Sequence, residues 1–234
     1  MNLPLPRFSG PHHDLPSMKE HTPAPPGGEA KRMVDARWQA PNPEWLAAPH
    51  PLPLRPLPTL IPDLRTDHAG ETGAVMIYRG ILAVTRDADV RHFTHQHLAT
   101  EARHLAQIEP LLMPAQRSRL LPLWRVAGWL TGALPAWVGP RAVYATIEAV
   151  ETFVDQHYVE QIESIRRHDP TCVDRPLQSV RSLLQDCRSD EIAHRDEAAA
   201  LFAADARAPS WALRVWVGLV GAGSRGAVKV CRWI

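Results

Sequence analysis

The sequence predicts an all-α protein, a four-helix bundle with two additional apolar helices, and three observations carry that reading. From about Asp63 onward apolar residues recur at helical spacing, as in Ala74, Ile77, Tyr78, Ile81, Leu82 and Val84. No run of alternating β-branched residues appears, so sheet content is expected near zero. Fourteen of the 23 prolines fall within residues 1–60, which leaves the remainder free to run as long helices.

Residues 1–60 therefore read as a proline-rich arm, disordered or extended, because proline lacks the amide donor and fixes φ. Residues 61–234 read as the folded domain. Its first helix is expected over about 64–87. The second covers about 90–112, where Pro110 and Pro114 stop it. The third, apolar, spans about 120–137. A fourth starts near Pro140, well placed in a first turn after Gly139, and runs to Pro170. The fifth covers about 176–204, and a sixth follows Pro209 to the C-terminus.

Composition narrows the function classes. The 45% apolar and 22% charged content of 234 residues suits one sizeable core. A net charge of +1 supplies no basic field for nucleic acid, which is not an expected partner. Cys172, Cys187 and Cys231 are too few and too scattered for a disulfide framework or a Cys-x-x-Cys site, so a reducing compartment is the simpler reading. The first thirty residues contain Asp14, Glu20 and Glu29 and no apolar run of signal-peptide length. That speaks against secretion and against a basic mitochondrial leader.

The chemistry lies in two short pairs, Glu101-Ala102-Arg103-His104 on the second helix and Glu191-Ile192-Ala193-His194 on the fifth. At spacing i, i+3 a carboxylate and an imidazole share one helical face and reach one metal ion. With 12 glutamates and 12 histidines in the chain, simple frequency gives about 0.6 such pairs by chance, so two pairs alone decide little. Context decides more. Each pair follows a helix carrying an inward-capable glutamate, Glu71 before Glu101 and Glu151 before Glu191. Glu148, three residues before Glu151, shares its face, and spacing alone leaves that choice open. One Glu from each of two helices plus Glu-x-x-His from each of two others is the ligand pattern of di-iron and di-manganese bundles. Four carboxylates balance the charge of two divalent cations. Without them, four buried carboxylates would each cost several kcal/mol and take up protons instead. Oxygen and nitrogen ligands with no thiolate suit iron or manganese better than structural zinc.

Longer stretches carry a resemblance. Leu64-Arg65-Thr66-Asp67-His68-Ala69-Gly70-Glu71-Thr72-Gly73-Ala74 opens it. Glu101-Ala102-Arg103-His104-Leu105, Ala149-Val150-Glu151, Gln156-His157-Tyr158, Gln161-Ile162 and Asp190-Glu191-Ile192-Ala193-His194 continue it. Across residues 60–232 the chain resembles the demethoxyubiquinone hydroxylase family. The resemblance implies a ferritin-like bundle with two iron ions (Fe2+/Fe3+), acting as a monooxygenase of ubiquinone biosynthesis. Its co-substrates would be O2 and a reduced nicotinamide. It favours Glu151 over Glu148, so that Glu71, Glu101, His104, Glu151, Glu191 and His194 match the iron ligands, with Glu101 and Glu191 bridging. His157 and Tyr158 fall in a family-like segment, where they are expected to act in catalysis by holding a ligand or approaching the quinone. Asp190 is placed to orient an iron-bound imidazole. The long arm and the tryptophan-rich third helix depart from the family pattern.

A polyprenylated quinone is nearly insoluble in water, so an enzyme acting on it is expected at a membrane surface. Residues 120–139, with Trp124, Trp129 and Trp137, and the segment from Trp211, with Trp216, Trp233 and four basic residues, look interfacial; neither reaches the roughly 20 apolar residues of a membrane span. The competing reading has them cover the bundle or form a seam between copies, since Gly218, Gly221, Gly223 and Gly226 permit close packing. Expected partners are the quinone, the membrane surface, a lipid-presenting protein or ubiquinone-biosynthesis complex, and a second copy of the chain. The expected location is the cytoplasmic face of a bacterial inner membrane, peripherally, with the matrix face of the mitochondrial inner membrane as the alternative. Two other functions fit the same pattern, a ferritin-like di-iron oxidase or ferroxidase and a non-enzymatic quinone-binding helical scaffold.

Overall fold

Proline and capping residues set the ends of six helices in the computed structural model, which describes residues 58–171 and 173–234. The arm expected over 1–60 lies outside these residues except for Pro58–Leu60, a single 3-10 turn that buries Leu60. Helix α1 (Ile61–Val84) begins earlier than expected because Pro62 sits in its first turn, where a missing N–H is no loss. It also ends earlier, because Asp87 caps α2 (Ala88–Ile108), its carboxylate accepting from the Val90 amide at 2.9 Å. After Ile108 the chain breaks into 3-10 turns at Glu109–Leu111 and Pro114–Gln116. Each holds a proline that cannot continue an α-helix.

Helix α3 (Leu121–Val138) meets α4 (Pro140–His168) through Gly139 alone, whose φ of 136° an L side chain rarely adopts. Asp174 caps α5 (Arg175–Ala203) and Ser210 caps α6 (Trp211–Cys231), each accepting from the amide three residues on. Among the described residues there is no strand.

The fold is a ferritin-like bundle of α1, α2, α4 and α5, with α3 laid along α1 and α6 against α4. The α1–α3 seam is tight. A Cβ at Gly80 would meet the Trp129 carbonyl, one at Gly128 the Gly73 carbonyl, and one at Gly132 the Ile77 carbonyl, so glycine is what lets the backbones approach. The glycines of α6 make no such seam within the chain: a Cβ at Gly218, Gly223 or Gly226 would meet nothing within 4 Å. Helix α3 buries its small residues, Gly128, Gly132, Ala133 and Ala136. Its large ones, Leu123, Val126, Leu130, Leu134 and Trp137, point outward.

Two apolar clusters fill the interior. One gathers Ile77, Tyr78, Ile81, Phe93, Val143, Ile147 and Ala198, the other Leu64, Leu112, Tyr158, Ile165, Leu177, Val180 and Leu184. Along every bundle helix the interval between them holds a buried glutamate: Glu71 on α1, Glu101 on α2, Glu151 on α4 and Glu191 on α5. The site is thus a polar layer clamped between two hydrophobic ones.

Candidate metal centre

All four glutamates are at most 3% exposed, with His104 at 1% and His194 at 7%. Burial this complete without partners would be costly. Their ligand atoms fall into two groups, each within 4.8 Å: Glu71, Glu101, His104 and Glu191 in one, Glu101, Glu151, Glu191 and His194 in the other. Glu101 and Glu191 belong to both groups, the place of a bridging carboxylate. Glu148 is half-exposed and belongs to neither.

Both imidazoles turn Nδ1 inward. His104 Nδ1 lies 3.0 Å from Glu191 Oε1 and 3.7 Å from Glu71 Oε2. His194 Nδ1 lies 3.1 Å from Glu101 Oε1 and 3.4 Å from Glu191 Oε2. Half of the twelve buried side-chain polar atoms that lack a hydrogen bond among the described residues are here: Glu71 Oε2, Glu101 Oε1, both oxygens of Glu191, and Nδ1 of His104 and His194. Unsatisfied buried groups on this scale demand an explanation, and convergent oxygen and nitrogen donors suit two hard or borderline divalent cations. The residues fit a dinuclear metal centre.

The electrostatics of the layer agree. Burial, and then the neighbouring Glu101 and Glu191 carboxylates, push Glu71 and Glu151 well above the usual carboxyl range. Against the same burial, Asp190 and Glu191 hold His104 up at about 11, and Glu101 and Glu191 hold His194 at about 9. The two histidines in turn hold Glu191 low in spite of its burial. Protons occupy the charge positions that cations would take.

Around the ligands stands a second set of side chains. Asp190 Oδ2 takes His104 Nε2 at 3.1 Å and is itself held by Arg103 at 2.6 Å, the contact that an orienting role requires. Tyr158 donates to Glu71 Oε1, so this buried tyrosine reaches a candidate ligand. His157 reaches none of the six; its Nε2 lies 3.0 Å from Thr66 Oγ1, 2.9 Å from Gln161 Nε2 and 3.3 Å from Asp67 Oδ1.

Sequence reasoning missed a third group. Tyr78 donates to Glu151 Oε1 at 3.0 Å and sits 3.3 Å from His97 Nδ1, and His97 Nε2 meets Glu197 at 3.0 Å. Burial, then the His194 ring 4.0 Å away, push His97 down to about 4, with Glu197 opposing. A signal existed: Glu71-x6-Tyr78 and Glu151-x6-Tyr158 put each tyrosine two turns beyond a glutamate on the same face. Each tyrosine then serves the glutamate of the other hairpin.

A cavity of about 420 Å³ leads away from this layer, with all four glutamates in its wall. Ala74, Ile77, Val150 and Val154 line its depth, and Trp124, Ala127, Trp216, Leu219 and Val220 of α3 and α6 line its outer part.

Residues 60–231 match the family described as ubiquinone biosynthesis protein COQ7. The chain is 38% identical over 151 residues to the 3-demethoxyubiquinol 3-hydroxylase of Rhodospirillum rubrum, covering 62% of this chain and 67% of that one. It is 35% identical over 136 residues to the NADPH-dependent mitochondrial 3-demethoxyubiquinone 3-hydroxylase of Mus musculus, covering 57% and 60%. It is 31% identical over 152 residues to the mitochondrial 5-demethoxyubiquinone hydroxylase of Saccharomyces cerevisiae, covering 58% and 63%. The match to the mouse and yeast proteins thus spans about three fifths of their length.

Proposed function

The chain belongs to the ubiquinone biosynthesis protein COQ7 family, and on that footing we propose that it is a di-iron, O2-dependent monooxygenase hydroxylating the ring of a polyprenylated demethoxyubiquinone-type precursor. The observation that carries this reading is the pair of four-ligand groups sharing Glu101 and Glu191 in the wall of an apolar cavity.

Glu71, Glu101, His104 and Glu191 would hold one iron, and Glu101, Glu151, Glu191 and His194 the other. Bound there, two ferrous ions supply the reductive activation of dioxygen, with further electrons from a reduced nicotinamide, as the name of the mouse relative indicates for that protein. The chain's own groups do the rest. Tyr158 and Tyr78 fix the outer carboxylates Glu71 and Glu151, and Asp190 fixes the ring of His104. The apolar walls of α1, α4 and α6 exclude water and admit an aromatic ring. Thr146 anchors the Trp216 indole at 2.9 Å.

The isoprenoid tail would leave between α3 and α6, whose outward faces present Leu130, Leu134, Trp137, Val215 and Leu219, with Trp233 just beyond the end of α6. No helix among the described residues is long and apolar enough to cross a membrane. Peripheral contact through these two faces, tryptophan at the headgroup level, meets the need. The membrane is the one that carries the quinone pool, bacterial or mitochondrial according to the cell.

The test is iron content and ring-hydroxylase activity of the purified full chain beside Glu191→Ala, with a short-tailed demethoxyquinone and a reduced nicotinamide. About two irons per chain, and activity lost in the variant, is the expected result. Rapid ferrous oxidation without ring product would favour a ferroxidase instead, and an iron-free, inactive protein after reconstitution would leave the scaffold reading.

A further inference from the structure

The two ligand groups are related by the repeat of the hairpins, and the repeat makes their differences visible. Helices α1 and α2 carry Glu71, Tyr78, Glu101 and His104; α4 and α5 carry Glu151, Tyr158, Glu191 and His194 in the same order and with the same spacing within each helix. On the inner side the halves are alike. Each outer glutamate receives one tyrosine hydroxyl, and each imidazole turns Nδ1 to the two shared carboxylates.

On the outer side they are not. His104 Nε2 meets the carboxylate of Asp190, which Arg103 anchors. The residue before Glu101 at the corresponding place is Thr100, which carries no charge. The outer nitrogen of His194 forms no hydrogen bond among the described residues, and His194 is the more exposed of the two rings, at 7% against 1%. A carboxylate on the far nitrogen fixes the ring's orientation and tautomer and makes the metal-facing nitrogen a better donor, and losing such a partner typically costs about 10- to 100-fold in metal affinity. Repulsion between two cations sharing Glu101 and Glu191 weakens whichever binds second.

We propose that the two metal positions are inequivalent and fill in order, the Glu71/His104 position first and the Glu151/His194 position second, with Asp190 as the positioning residue that sets the order. The inference rests on the dinuclear reading. It assigns the readily emptied position to the half that holds His194, packed against His97.

The experiment is a calorimetric titration of the metal-free full chain with ferrous ion under anaerobic conditions. Two steps of one ion each, at least about tenfold apart, are expected. His104→Ala loses the tight step and leaves a single weaker one, relieved of repulsion from a first cation; His194→Ala keeps the tight step alone. Asp190→Asn, which preserves shape and removes the charge, weakens the tight step about 10- to 100-fold while the weak step stays in place. Far-ultraviolet helicity and melting of the metal-free variants separate these results from unfolding. Loss of the tight step in His194→Ala, or equal weakening of both steps in Asp190→Asn, overturns the order. Two indistinguishable steps in the unaltered chain overturn the inequivalence and leave the dinuclear reading standing, whereas no uptake overturns both.

Discussion

Raising the pH should destabilise the metal-free protein and spare the loaded one. In the metal-free layer His104 stands at about 11 and His194 at about 9, held there by facing carboxylates against the effect of burial. An imidazole in the unfolded chain sits near 6.5. The folded chain therefore binds more protons than the unfolded one above that value, so this stability is complete below about pH 6.5 and is lost as pH rises toward the folded values. Between about pH 6.5 and 9 both rings contribute, and each proton is about 1.4 kcal/mol per pH unit, so the two rings together give a slope of up to about 3 kcal/mol per unit. Glu71 and Glu151, also raised, act in the same direction from lower pH. Glu191, held low, has the opposite sign but is ionised in both states throughout this window. Ligation replaces the protons, so the loaded protein should show no such slope. The assay is urea unfolding of metal-free and iron-loaded protein across the window. Stability of the metal-free form that rises with pH, or a gap between the two forms that does not widen, would refute the reasoning.

Further outcomes follow from single contacts. Tyr158→Phe leaves Glu71 Oε1 without its donor and should cost the loaded protein about 1.5–3 kcal/mol in urea unfolding. Gly132→Ala drives a methyl into the Ile77 carbonyl and should cost about 1–3 kcal/mol, read as a lowered melting temperature. Gly218→Ala, into open space, should instead gain about 0.5–1 kcal/mol from helix propensity. Trp137 and Trp233 are 83% and 86% exposed. Replacing both with Ser should weaken cosedimentation with anionic vesicles while iron content stays unchanged.

Much of this was legible in the sequence because ligand and helix share one periodicity. Glu101 with His104 and Glu191 with His194 are local pairs, and helical spacing alone aligns them. The four bundle helices were placed to within a few residues, since Pro140 and Pro176 sit where proline begins a helix and Pro110 where it ends one. Ligand choice between Glu148 and Glu151 was not settled by spacing, because both lie on a similar face; only packing leaves the first half-exposed. The Tyr78–His97–Glu197 chain escaped because His97 and Glu197 lie on different helices, 100 positions apart. Helix α3 is apolar around most of its circumference, Arg125 being its one charge, so its hydrophobicity did not say which side would pack. The answer came from size, with Gly128 and Gly132 fitting against the α1 backbone and the bulky residues left outside.

The most direct test is the source of the new ring oxygen. Iron-loaded full chain would be given a short-tailed demethoxyubiquinol, a reduced nicotinamide and isotope-labelled dioxygen, with the product weighed by mass spectrometry. The account predicts one labelled oxygen in each hydroxylated ring. Product labelled from water instead, or an iron-loaded chain that consumes dioxygen and leaves the ring untouched, would contradict it.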